Sequence, residues 1–195
     1  SPEEPRLRAG WRLLLNALLI QFLSLLALLP FLFLRLPQSL LINGQLISVQ
    51  TATVIVVTIA VFICRRWLDR RSIASLGLQL DRQSAIDLLA GFLIAGLMML
   101  AVFAIQWGAG WLTIGAGEPE AASGWRPILL LLVMLGAFIG GGWQEELYFR
   151  GYLLQNLEAG LNLTWGVVIS TVMFSLAHVF NPNLSAMGLL GILLA

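Results

Sequence analysis

Charge, cysteine, histidine and lysine are all scarce in this chain, and each shortage excludes something. Only 11% of the 195 residues are charged, against about 25% in soluble domains, so an ordinary water-facing surface is excluded. Lysine is absent, and all eleven basic residues are Arg. The net charge of +1 carries no sign of a nucleic-acid partner, and none is expected. The single Cys64 excludes an intramolecular disulfide and a zinc site built from several cysteines. Its plain reading is a small apolar residue at a helix end. There is one histidine, His178. Neither an internal repeat nor a low-complexity tail is visible.

Apolar residues are abundant: 59% of the chain, with a mean hydropathy of +0.90. The apolar runs reach the roughly 20 residues that a spanning helix needs, and in lipid a helix satisfies its own backbone. The expected fold is therefore all-α, a polytopic transmembrane helix bundle with five spans and the start of a sixth. The spans are Trp11 to Leu34, Leu46 to Cys64, one within Ser84 to Thr113, one opened by Pro127, and Leu163 to Phe180. Pro30 is a candidate kink in the first. Gly91 and Gly96 allow close helix contact in the third. The sixth begins near Leu184 and stops within an apolar run, so the chain is expected to be truncated at its C-terminus. Residues 1–10 form an N-terminal segment. Residues 11–195 form a single membrane domain, with an incomplete catalytic core over about 84–195.

Arginine placement orients the spans. The N-terminus carries Arg6, Arg8 and Arg12, and Arg65, Arg66, Arg70, Arg71 and Arg82 follow the second span; the opposite loops hold only Arg35 and Arg126. The positive-inside rule then puts the N-terminus and residues 65–83 in the cytoplasm. The loop 114–126, with Glu118 and Glu120, lies outside. Within 65–83, Arg66, Asp69, Arg70 and Ser72 are compatible with a surface helix on lipid headgroups, although plain topology explains the charges as well.

Carboxylates and imidazoles are costly near a bilayer, about 2.5–3.5 kcal/mol for an acidic or basic residue at a helix centre. Yet Glu145 and Glu146 sit side by side after Gly140, Gly141, Gly142, Trp143 and Gln144, and His178 follows 33 residues after Glu145. Residues Pro127 to Leu157 read as one helix about 46 Å long, with the three glycines as its weak point. Glu146 and Arg150 are spaced i,i+4 and can pair, which reads equally as a structural ion pair. Glu145 points about 100° away and has no local cation. Gly160 suits a C′ position ending that helix, and Asn162 or Thr164 can cap the next. Glu145 lies 15 residues before Gly160 and His178 lies 18 after it. The mismatch amounts to about 4.5 Å of rise, so the two side chains can meet across a hairpin. Phe174, one turn before His178, can wall the site. Asn181 can reach a ring nitrogen or a substrate carbonyl.

A carboxylate in a low-dielectric cavity can serve as a general base near neutral pH. His178 could orient water, stabilise an oxyanion or ligate a metal. His178 and Glu146 are the candidate metal ligands, with Zn2+ the candidate ion.

Glu145-Glu146-Leu147-Tyr148-Phe149-Arg150 fits Glu-Glu-x-x-x-Arg, and Phe174-Ser175-Leu176-Ala177-His178 fits Phe-x-x-x-His. Together with Ser75-Leu76-Gly77-Leu78 ahead of the third span, they resemble the CPBP intramembrane protease family over residues 65 to 195. That family includes the type II CAAX prenyl endopeptidases and the Abi proteins, some linked to bacteriocin self-immunity. The resemblance implies a metallo- or glutamic endopeptidase in which Glu145 activates water, Glu146 and Arg150 shape the site, and His178 positions water or the oxyanion. It implies a membrane-anchored peptide or protein substrate, lipid bilayer surroundings and the bacterial inner membrane. The family's third motif, His-x-x-x-Asn, lies further along and is not in this sequence, so the fragment alone is expected to be inactive. The competing expectation is a non-catalytic scaffold or immunity-type protein that uses the same cavity for binding. A proton-coupled transporter would show repeats, which are not found.

Overall fold

A computed structural model describes residues 7–33, 43–115 and 125–194. Arg6, Arg35, Glu118 and Glu120, named above for topology, lie outside them. Among the described residues all regular structure is helical. The helices are α1 (Ala9–Phe33), α2 (Asn43–Trp67), α3 (Arg82–Gly108), α4 (Arg126–Glu145), α5 (Leu154–Gly160), α6 (Leu163–Ala177) and α7 (Ala186–Leu194). A 3₁₀ turn, Ile73–Leu76, lies between α2 and α3, and a π-helical segment, Glu146–Leu153, joins α4 to α5. Among the described residues four stretches are long and apolar enough to cross a membrane: Ala9–Leu29, Val49–Trp67, Arg82–Gly108 and Pro127–Gly160. The protein is an integral membrane protein. The fifth expected span, α6, is apolar but only 15 residues long.

The chain divides into two compact units, residues 1–76 with 135–195, and residues 77–134. The second contains α3, whose first turn is capped by Asp81: the carboxylate accepts from the Ser84 N–H at 2.7 Å. The first unit carries both motifs. In it α1 packs on α2 and α5, α5 on α6, and the π segment on α2 and α6.

Packing overturns two sequence expectations and one alternative. The long fourth helix does not weaken at Gly140–Gly142. Those residues are helical, and Gly140 and Gly141 lie close to Val54 and Gln50 of α2. The irregularity comes just after them, in the i→i+5 turns of Glu146–Leu153; such segments are rare and recur at functional sites. Gly160 is not a left-handed terminator either. It stays helical, and a Cβ placed there would come within 2.7 Å of the Ala9 Cβ, so its missing side chain serves the approach of α1 to α5. Finally, the alternative of a surface helix is not taken up, since residues 68–72 are non-helical. α2 ends at Trp67, and Asp69 turns inward with its side chain 0% exposed.

Buried Asp69 organises the end of this unit. It accepts from Arg12 Nη1 at 2.9 Å, Arg65 Nη1 at 3.0 Å and Asn156 Nδ2 at 3.2 Å. Arg65 also reaches the Ser75 hydroxyl and carbonyl and Gln155 Oε1. One carboxylate thus ties α1, α2 and α5 together, and Arg65 brings in the 3₁₀ turn. A buried charge is tolerated only with such partners.

Candidate active site

The hairpin α5–α6 forms as the sequence indicates. Asn162 caps α6, its side chain accepting from the Trp165 N–H at 3.0 Å. Gly166 permits the crossing, because a Cβ there would meet the Glu158 backbone nitrogen at 3.1 Å. Ser170 of α6 donates to the Phe149 carbonyl at 3.0 Å. Trp143 Nε1 donates to Thr58 Oγ1 of α2 at 2.9 Å. The segment around Glu145 is therefore held from both sides.

The folded hairpin brings Glu145 Oε1 to 3.8 Å from His178 Nε2. His178 terminates α6 as its C-cap. Its Nδ1 lies 2.8 Å from the Phe174 carbonyl. A carbonyl only accepts, so Nδ1 carries the proton, and in the neutral ring Nε2 presents a lone pair to Glu145. At 3.8 Å the two do not hydrogen-bond directly. A bridging proton donor such as water suits the gap. The His178 side chain is 20% exposed and that of Glu145 38%, which leaves both within reach of a small molecule.

Glu146, the neighbouring carboxylate, is ion-paired with Arg150. Arg150 in turn sits 5.7 Å over the Phe174 ring. Phe174 stacks at 4.6 Å against His178 and edge-on at 5.2 Å against Phe149. Its ring thus lies between those of Phe149 and His178. Asn181 does not reach the ring nitrogen: among the described residues its contact with His178 is through the backbone, its N–H donating to the His178 carbonyl at 2.9 Å. Nδ1 is already taken by Phe174, and the chain has left the helix by residue 181.

Glu146 was paired with His178 above as a candidate metal ligand, but the carboxylate facing the imidazole is that of Glu145. Among the described residues no three His, Cys, Asp or Glu side chains converge. One imidazole and one carboxylate fall short of the three protein ligands of a catalytic zinc site. Among the described residues, then, the donors for a catalytic Zn2+ number two of three.

Sequence reasoning missed the other side of the site. Glu145 borders a hollow of about 250 Å³ with Gln144, Tyr148 and Phe149, closed by Ala17 and Ile20 of α1 and Val57 of α2. No spacing rule within α4–α6 points to α1. The only signal was that Arg12 and Asn16 stand four residues apart on an apolar helix, marking a face turned inward; both are buried.

A carboxylate facing an imidazole nitrogen, between two helices of a membrane protein, suits removal of a proton from water. Residues 127–195, the segment bearing both motifs, match the family model described as Rce1-like, type II CAAX prenyl endopeptidase. That segment is thus similar to the CAAX-type intramembrane proteases, a family of membrane proteases that act on membrane-associated substrates. No curated protein and no solved structure matches the chain.

Proposed function

We propose that Glu145 is the general base of an intramembrane endopeptidase and that His178 orients the attacking water. The observation that carries this reading is the 3.8 Å separation of Glu145 Oε1 and His178 Nε2, with Nδ1 engaged by the Phe174 carbonyl. A water molecule between them donates one O–H to each and keeps a lone pair for the carbonyl carbon of the scissile peptide. Glu145 takes one proton as the C–O bond forms. It then delivers that proton to the amide nitrogen as the C–N bond breaks, releasing an amine and an acid. A neutral Nε2 has no proton for an oxyanion, so water orientation is the role this tautomer supports. Arg150, paired with Glu146 and resting on Phe174, puts positive charge beside the developing anion. No step is routed through a metal.

The substrate in this reading is a peptide segment anchored in or on the bilayer, entering from the cytoplasmic side that the arginine distribution assigns to the N-terminus. The test is cleavage of a membrane-anchored reporter peptide by the full-length protein in proteoliposomes. Glu145→Ala should lose cleavage while still binding the peptide. Cleavage retained by Glu145→Ala sinks the assignment, and peptide binding without turnover by the unaltered protein would favour the scaffold reading.

A further inference from the structure

At the end of unit one where α1 begins and α5 ends, a groove of about 500 Å³ is bordered by Arg8, Arg12, Leu13, Leu157, Gly160 and Leu161. Two candidate spans terminate there, Ala9–Leu29 at its start and Pro127–Gly160 at its finish. The groove therefore lies at the depth of lipid headgroups.

Its polar half is built for an anion. The first intrahelical bond of α1 runs from the Arg12 N–H to the Arg8 carbonyl. The N–H groups of Ala9, Gly10 and Trp11 precede it and have no intrahelical acceptor. The first turn holds no acidic residue to occupy that positive end. Arg8 is exposed beside it. Arg12 supplies an independent indication. Its side chain is 5% exposed, and its Nε is buried without a partner. Asp69 is shared by two guanidiniums; among the described residues Arg65 takes three further acceptors while the Arg12 side chain has Asp69 alone. The buried cluster of Arg12, Arg65 and Asp69 thus carries a formal excess of one positive charge, and of the three Arg12 borders the groove. Glu158 is exposed next to Leu157 but does not border the groove. Its apolar half, Leu13, Leu157 and Leu161, continues from headgroup level toward the hydrocarbon.

We propose that this groove binds an anionic phospholipid, with the phosphate at the α1 N-terminus between Arg8 and Arg12 and an acyl chain along Leu13, Leu157 and Leu161. The bound lipid clamps α1 to the α5–α6 hairpin. This site is separate from the Glu145–His178 pair, and its test needs no proteolysis.

The experiment is titration of the full-length protein in neutral detergent with short-chain phosphatidylglycerol, short-chain phosphatidylcholine and inorganic phosphate, read by native mass spectrometry and by the thermal unfolding midpoint. Phosphatidylglycerol should bind and raise the midpoint, about tenfold more tightly than phosphatidylcholine. Arg8→Glu should weaken that binding about tenfold, and Ala159→Trp, which crowds the groove, should do the same. Arg71→Glu, an exposed arginine outside the groove, should change it less than twofold. Equal binding of the two lipids overturns the proposal, as does equal weakening by Arg8→Glu and Arg71→Glu. Saturation by phosphate alone, with no gain from an acyl chain, replaces the lipid with a free anion and equally overturns it.

Discussion

Glu145 and His178 come from different helices and face each other across 3.8 Å, while Glu146, one residue from Glu145, is held by Arg150. Adjacent carboxylates thus receive opposite environments. One is neutralised by a cation on its own helix, and the other is left to an imidazole across the hairpin.

That division predicts unequal phenotypes. Glu145→Gln keeps shape and removes the base, so the rate constant for reporter cleavage in proteoliposomes should fall by about 10²-fold or more, the range of general-base contributions. Glu146→Gln breaks an ion pair with half-exposed partners, worth at most about 1 kcal/mol; its main effect should be a several-fold change in rate through Arg150. Equal losses in the two variants would contradict the assignment.

The buried pair of guanidiniums on Asp69 predicts a large stability effect. Asp69→Ala leaves Arg12 and Arg65 without their shared counter-charge and should destabilise unit one by about 3–5 kcal/mol. Reversible unfolding in mixed micelles measures this. Removing Arg12 as well, in an Arg12→Met, Asp69→Ala chain, should recover part of the loss, because one uncompensated charge disappears. Additive losses in the double variant would argue against direct coupling.

Close packing of α1 on α5 makes Gly160 a sensitive position. Gly160→Ala brings a methyl group to 2.7 Å from the Ala9 Cβ, and overpacking of this kind costs about 1–3 kcal/mol. Ala9→Gly should relieve it. A double-mutant cycle read by the unfolding midpoint would therefore show rescue, and an absence of rescue would place the strain elsewhere.

The cap of α3 carries a pH dependence. The Ser84 backbone N–H, bonded to the Asp81 carboxylate, holds its pKa below the ordinary 3.8. A depressed carboxylate contributes stability that is fully present above 3.8 and is lost as pH falls through the lower folded value. The Ser84 amide resonance should titrate with a midpoint below 3.8, and Asp81→Asn should abolish that titration. A midpoint at or above 3.8 would show that the cap is not formed.

Much of this was legible in the chain. The spans follow from run lengths, and Asn162 as a cap follows from the reach of its side-chain carbonyl oxygen to an N–H of the first turn. The meeting of Glu145 with His178 follows from counting outward from Gly160. The π-helical turns were not legible, because Glu146–Leu153 has no residue that breaks an i→i+4 ladder; its register is set by contacts from α2, α6 and the 3₁₀ turn. Asp69 was read as a surface residue because it sits among Arg66, Arg70 and Arg71, and local charge density does not reveal that Arg12 and Asn156 approach from distant segments.

The amino-acid order alone determined that this protein is helical and membrane-embedded, since hydropathy and the backbone's need for hydrogen bonds in lipid allow little else. It also determined which acid and which imidazole could share a depth. Tertiary structure decided which of two adjacent carboxylates faces the ring, which ring nitrogen is left free, and which arginine stays short of partners. Those outcomes depend on side-chain directions set by long-range packing, and a one-dimensional spacing rule carries no information about them.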